Sequence, residues 1–150
     1  MSSDIFSIVG SALSAQNMRM GAIASNLANV DSITPPGQQP YRAHELVFSA
    51  APVTGSEYNS SGTDIAAGTD SSDLGVKVAG IVESNAQPTQ KYEPGNPYAN
   101  AQGYVTGSNV SQVNEMVDLI DSSNSYSASI AMLEQTSRID QQMISSFQVT

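Results

Sequence analysis

The sequence predicts a mainly α fold with a small β-rich middle, in which long N- and C-terminal helices pair as an antiparallel coiled coil. Three observations carry this. An apolar heptad runs through residues 4–30, a second runs from about Val110 to the C-terminus, and between them the period changes to short Val-rich stretches broken by Pro and Gly. The chain divides accordingly. Residues 1–34 are the N-terminal helix and its turn, residues 35–109 a β-rich and extended middle, and residues 110–150 the C-terminal helix.

In the first helix Phe6, Leu13, Met20 and Leu27 fall at one seam position, and Val9, Gln16, Ile23 and Val30 at the other. Only Gln16 interrupts this a/d spacing of a coiled-coil face. Ser2, Ser3 and Asp4 form a plausible cap region, with an acid at the positive helix end. Such a helix is about 40 Å long. Small flanking residues, Gly10, Ala15, Gly21 and Ala24 among them, let other helices approach closely. The same residues make the helix marginal alone.

The helix gives way at Ser25–Arg42, SNLANVDSITPPGQQPYR. Asp31, Ser32 and Thr34 form turns through their short side chains. Pro35 and Pro36 forbid further helix and push Ile33 and Thr34 toward extended conformations.

The run Leu46-Val47-Phe48 within 43–53 reads as a strand, and Gly75–Val82 as another, half-buried through Val76, Val78, Gly80 and Val82. Residues 54–73, rich in Gly, Ser, Thr and Asp, read as a long mobile surface loop. Pro88, Pro94, Gly95 and Pro97 make 87–100 turn and extended chain, before a short strand at Tyr104 and Val105. Ser108 or Asn109 is placed to cap the second helix. Its stripe reads Met116, Leu119, Ser123, Tyr126, Ile130, Leu133, Ser137, Asp140, Ile144 and Phe147. The serines of 122–129 are poor helix formers, and a kink or late ordering is expected there.

Composition excludes several classes of function. The net charge is −9, and the five basic residues, Arg19, Arg42, Lys77, Lys91 and Arg138, are scattered. That leaves no patch for nucleic acid or for an anionic membrane surface. Charged residues are 13% of the chain, against about 25% in ordinary soluble domains. Such a surface sheds little hydration when packed against neighbours. With no cysteine, disulfides and thiol chemistry are excluded. No apolar run reaches the ~18 residues of a membrane span. Nothing basic precedes Arg19, so no secretory signal is expected.

No cofactor, metal or small-molecule substrate is expected. His44 is the single histidine and has no ligand or catalytic pattern around it. Asp64, Asp70 and Asp73 lack the alternate spacing and closing Glu of a calcium loop. Glu115, Asp118 and Asp121 suit the dipole at a helix start better than a paired-carboxylate site. The many serines have no Gly-x-Ser-x-Gly elbow. Asn26 and Asn29 read either as local caps or as donors to a neighbouring subunit's backbone. Gln16 reads as a register device or as a partly exposed side chain. Antiparallel pairing of the two seams would bring the termini together, with the middle at the far end. Ile5, Ile8, Met132, Ile139 and Met143 would then stay uncovered, which marks an interface.

The heptad N-terminus ending in SNLANVDS and followed by PYR resembles the bacterial flagellar rod and hook axial proteins. KYEPGNPYANAQGYV (91–105), SQVNEMVDLIDSSNSYSASI (111–130) and GVKVAGIVES (75–84) bring the resemblance closest to the proximal-rod members. This chain has Ser129 where the family usually has Asn, and Asn124 where Arg is common.

The resemblance implies a structural, non-enzymatic subunit of the basal-body rod, the drive shaft for motility. It implies self-association, other rod subunits and the ring and export-gate base as partners, and residence in the rod across the periplasm after type III export. Another axial component is the alternative, with a wall-associated hydrolase behind it. The residues expected at assembly interfaces are Phe6, Val9, Leu13, Met20, Ile23, Asn26, Leu27, Asn29 and Val30 on the first helix and its motif. On the second they are Met116, Leu119, Tyr126, Ile130, Leu133, Ile144 and Phe147.

Overall fold

A computed structural model describes residues 2–52 and 74–147, with side chains described for 5–52 and 74–146. The loop expected at 54–73, with Asp64, Asp70 and Asp73, lies outside the described residues. Helix α1 spans Ser2–Ala28 and helix α2 spans Gln112–Phe147. Among the described residues five strands lie between them: β1 Ile33–Thr34, β2 His44–Pro52, β3 Leu74–Glu83, β4 Gln90–Tyr92 and β5 Tyr104–Gly107. The molecule is therefore mixed α/β, with two long helices and a small sheet region.

The helices lie side by side and run antiparallel. Asn26 meets Glu115, Arg19 meets Asp118 and Asp121, and Phe6 shares a groove with Leu133 and Ser137. Helix α2 continues without a break through 122–129. Its hydroxyls there are absorbed locally: Ser127 and Ser129 donate to the carbonyls of Ser123 and Ser125, one turn back. That back-bonding accommodates the serines without the expected kink.

The strands form two separate sheets. β1, β5 and β4 make one in that order, with Ile33 opposite Gly107 and Lys91 opposite Val105. Pro35 and Pro36 carry no N–H and end β1 after two residues. β4 lies in the Pro-rich stretch read as turn and extended chain. It forms because Gln90–Tyr92 sits between the prolines and has β5 as a partner. Val105, 1% exposed, is the centre of this sheet.

β2 and β3 form an antiparallel hairpin running from His44–Glu83 to Pro52–Leu74, with an irregularity at Val47/Phe48. This hairpin does not hang from the far end. It folds back along α1: the His44 end is bonded to Asn26, and Val76 N–H donates to Ser11 Oγ about four turns nearer the N-terminus. α1 thus has α2 against one side and the hairpin against another. Of the β3 face expected to be half-buried, Val78 and Gly80 are, whereas Val76 and Val82 are exposed.

The core is small. Among the described residues its buried apolar side chains are Val9, Ala15, Ile23, Ala43, Val105 and Val110, and none of these is a Leu or an aromatic. Many more large apolar residues are exposed than buried.

Neither Ser108 nor Asn109 caps α2. Val110 and Ser111 intervene, and Glu115 N–H bonds the carbonyl of Ser111 at the helix start. Ser108 Oγ instead donates to the Val30 carbonyl. Asn109 accepts from Ala43 N–H and donates to the carbonyls of Ser84 and Ala86. Both are held by the strand ends, so the helix begins later than the pattern predicts.

Gly103 sits at φ +82, and a Cβ there would lie 2.9 Å from Tyr92 Cε2. Gly37 has a similar φ of +88 with open space around it. Gly103→Ala is therefore expected to destabilise the chain by about 1–3 kcal/mol in urea unfolding, and Gly37→Ala by less. Equal costs would mean that the Tyr92 contact is soft.

Candidate assembly surface

The SNLANV motif ends α1 and begins the junction. Asn29 caps locally: its Nδ2 donates to the Ser25 carbonyl at 2.9 Å, one turn back. Asn26 is not a local cap. It is 2% exposed and bonds within the chain in four directions. Its Oδ1 accepts from His44 N–H at 2.8 Å and from the Tyr41 hydroxyl at 3.1 Å. Its Nδ2 donates to the His44 carbonyl at 3.0 Å and to Glu115 Oε1 at 3.1 Å. One primary amide offers two donors and two lone pairs, and all are used. With its proton given to Asn26, Tyr41 Oη accepts from Ser25 Oγ at 3.3 Å, and the Tyr41 and His44 rings meet at 5.4 Å. α1, β2 and α2 are thereby pinned at one point.

Glu115 is half-buried, and its burial, with Asp118 and Glu45 nearby, holds the carboxyl above the usual carboxylate range despite the Asn26 bond. A cleft of about 410 Å³ opens beside it, between α1, β2 and the start of α2, with Ile23 and Asn26 among its walls. At the other end Phe6 faces an open groove of about 510 Å³ against Leu133, Ser137 and Arg138. No group of three His, Cys, Asp or Glu side chains among the described residues is arranged for a metal. None of their helices is long and apolar enough to cross a membrane.

The structure distributes the expected interface residues unevenly. Val9, Ile23 and Asn26 are buried inside the chain. Phe6, Leu13, Met20, Leu27, Asn29, Val30, Leu119, Tyr126 and Leu133 are half-buried. Met116, Ile130 and Ile144 are exposed. The side chain of Phe147 lies outside the described residues. Gln16 is half-buried, and its Oε1 is buried without a hydrogen bond.

The face that α2 buries keeps one row of the sequence stripe, Leu119, Tyr126, Leu133 and Asp140, and shifts the other back by one residue. Glu115, Leu119, Ser122, Tyr126, Ser129, Leu133, Thr136 and Asp140 are its half-buried or buried line, at alternating spacings of four and three. One of its two rows, Glu115, Ser122, Ser129 and Thr136, is wholly polar, and Ser122 is 0% exposed with an unbonded Oγ. Large apolar residues point the other way. Val113, Met116, Val117 and Ile120 are 51–71% exposed and stand at i, i+3, i+4 and i+7, one helical face. Farther along, Met132, Ile139 and Met143 are exposed, as is Ile5 on α1, while Ile8 is half-buried.

α1 shows the converse. Its exposed heptad row, Ser7, Gly10, Ser14, Asn17, Gly21, Ala24 and Ala28, holds only small or short uncharged residues. Sequence reasoning missed the 113/116/117/120 face, although its spacing was legible. It also missed the joint role of Tyr41, Asn109 and Glu115, which no local pattern encodes.

Comparison with known proteins is consistent along the chain. The family described as flagellar basal body rod FlgEFG protein C-terminal matches residues 101–146. The flagellar basal-body rod protein FlgC of Salmonella typhimurium (strain LT2) is 47% identical over 130 residues, covering 87% of this chain and 86% of its own length. That of Escherichia coli O6:H1 is 46% identical over the same shares. That of Bacillus subtilis (strain 168) is 35% identical over 133 residues, covering 86% of this chain and 87% of its own.

Asn26→Ala strands the Glu115 and His44 groups that the amide satisfies. It is expected to cost roughly 2–4 kcal/mol in urea unfolding; a loss under ~1 kcal/mol would show the network to be dispensable. For Glu115 the sign is set by its raised folded value. Its contribution to stability is fully present below the unfolded value near 4.5 and is lost as pH rises through the folded value. Glu115→Gln is therefore expected to be at least as stable as the parent at pH 7. The parent should gain on the variant as pH falls toward 4.5, read from urea midpoints at each pH.

Proposed function

The chain belongs to the FlgC family of flagellar basal-body rod proteins and is a structural subunit of that rod, not an enzyme; from that premise we propose that it occupies the proximal rod. There it self-assembles with other axial proteins and transmits torque. Its neighbours are other rod subunits and the ring and export-gate base. It reaches the rod, across the periplasm, by the flagellar export route.

The observation that carries this reading is that the helix pair leaves complementary faces uncovered. α2 turns Val113, Met116, Val117 and Ile120 outward, and α1 exposes a row of small residues. Large knobs beside a shallow uncharged row are what close helix packing between subunits uses. We extend the reading to the α1–α2 pair itself as a short antiparallel coiled coil, since the inward line of α2 alternates fours and threes. The half-buried seam residues of the motif and both helices hold that pair, and the exposed ones meet the next subunit. Burying one Ile or Met stabilises by about 1.5–3 kcal/mol, so a repeated four-residue face is sufficient for a stiff shaft.

Mass spectrometry of salt-washed basal bodies tests the placement. The chain should be present at stoichiometric copies; its absence there, with abundance in cytoplasm or medium, would contradict the proposal. Two variants test the faces. Gly21 has nothing within 4 Å of a built Cβ, so Gly21→Leu should leave the isolated chain as stable or stabilise it by about 0.8 kcal/mol. It should nevertheless prevent incorporation and swimming. Ile120→Asp should behave alike, and normal motility in both would remove these faces from the assembly surface.

A further inference from the structure

We propose that α2 has two rotational settings against α1. One is the setting observed, latched at the junction by Glu115 and Arg19. In the other the helix is turned by about 50°, half of one residue step, so that the row of Met116 and Ile130 replaces the row of Glu115, Ser122 and Ser129 on the inward line. The inference does not depend on the rod reading, since it concerns the packing of the chain on itself. The observed inward line is poorly satisfied. Ser122 is 0% exposed with an unbonded Oγ, and on α1 the Oε1 of Gln16 is buried without a bond. The register set by Asn26 on Glu115, and by Phe6 beside Leu133, puts Gln16 level with residues 123–125, within about one turn of Ser122. Buried hydroxyls and amides normally find partners, so two orphans near one level mark a seam that this helix pair can improve.

The better seam is present in the same helix. Leu119, Tyr126 and Leu133 serve both settings, and Met116 and Ile130, exposed as observed, need only the small turn to face α1. At the far end Ser137 is already half-buried beside Thr136, so the two rows compete there. Val113, Val117 and Ile120 stand on neither inward line. The polar ties near the start of α2 lie on the flank opposite Met116. Asn26 donates to Glu115 at 3.1 Å, and Arg19 meets Asp118 at 3.5 Å and Asp121 at 3.7 Å. The turn carries Glu115, Asp118 and Asp121 outward together and breaks these ties. They hold lightly: burial and like charges keep the Glu115 carboxyl above its usual range, and Arg19 reaches exposed carboxylates. A helix turns as one rod, so a contact that draws Glu115 or Arg19 away is felt at Ser137, about 33 Å along the axis.

The chain has no cysteine, so single introduced thiols read the setting cleanly. Ser122→Cys and Ile130→Cys are each made in the full chain and labelled with N-ethylmaleimide. The thiol at 122 should react slowly and the thiol at 130 quickly. Adding Glu115→Leu to each should reverse the order, with labelling at 122 rising about tenfold and labelling at 130 falling about tenfold. Glu115→Gln keeps an acceptor for Asn26 and should leave both rates as they were. Arg19→Gln leaves the Asn26 junction intact and should move the two rates in the same opposite senses by about twofold. Where Glu115→Leu costs helical circular dichroism, Arg19→Gln alone decides. Rates that rise together at full circular dichroism mean that the helix detaches rather than turns, and unchanged rates mean a single setting; either result overturns the proposal. Neither bears on the chain's presence in basal bodies, so the two readings fail separately.

Discussion

A single buried amide fixes how this chain is arranged. Helix ends, strand starts and helix starts all expose backbone groups that must be satisfied. Here three of them converge, and the Asn26 side chain joins them. It pairs with both backbone groups of His44, as a neighbouring strand would, and reaches Tyr41 and Glu115 with its remaining capacity. Asn109 does similar work on the other side, tying Ala43 to the Ser84–Ala86 stretch. Without these two amides the hairpin would have little reason to fold back along α1, because the apolar core holding it is only a few small side chains. Polar satisfaction rather than apolar burial sets the orientation.

That arrangement explains why α2 looks inside-out. Glu115 must face Asn26, and this fixes the rotation of the helix at its start. The heptad then carries Ser122, Ser129 and Thr136 inward with it and leaves Val113, Met116, Val117 and Ile120 outward. In a chain that functions alone this would be a poor use of apolar side chains, since the hydrophobic contribution stays unrealised. In a subunit of a rod it is the useful arrangement. On the proposed reading the apolar contribution is held back until neighbours arrive, and the small uncharged row on α1 would receive them. The low charge fraction serves the same end by keeping the desolvation cost of those contacts low.

The helices, the hairpin strands and β5 were legible in the sequence, whereas β1 and β4 were read only as extended chain. Heptads gave both helices, the Leu46-Val47-Phe48 run and the Val alternation of 76–82 gave the hairpin strands, and the Pro pair gave the end of the extended Ile33–Thr34. What was not legible was rotation. In α2 the most apolar stripe includes Met116, Ile130 and Ile144, and a periodicity reading assigns that stripe to the partner helix. The structure puts a mostly polar line there because a contact 89 residues away in sequence, Asn26 with Glu115, decides it. The same limit hid the role of Asn26. Read locally, an Asn near a helix end is a cap, and only the return of residues 41–44 past the helix makes it a hub. Ser108 and Asn109 were read as caps for the same reason and proved to be strand-end ties.

Native-state amide hydrogen exchange on the full chain tests most directly the claim that the junction is the rigid centre. The account predicts that His44, Ala43 and the amides around Val105 exchange slowest, and that α2 beyond residue 130 exchanges much faster. Uniform protection along α2, or a junction that opens before the distal helix, would contradict it.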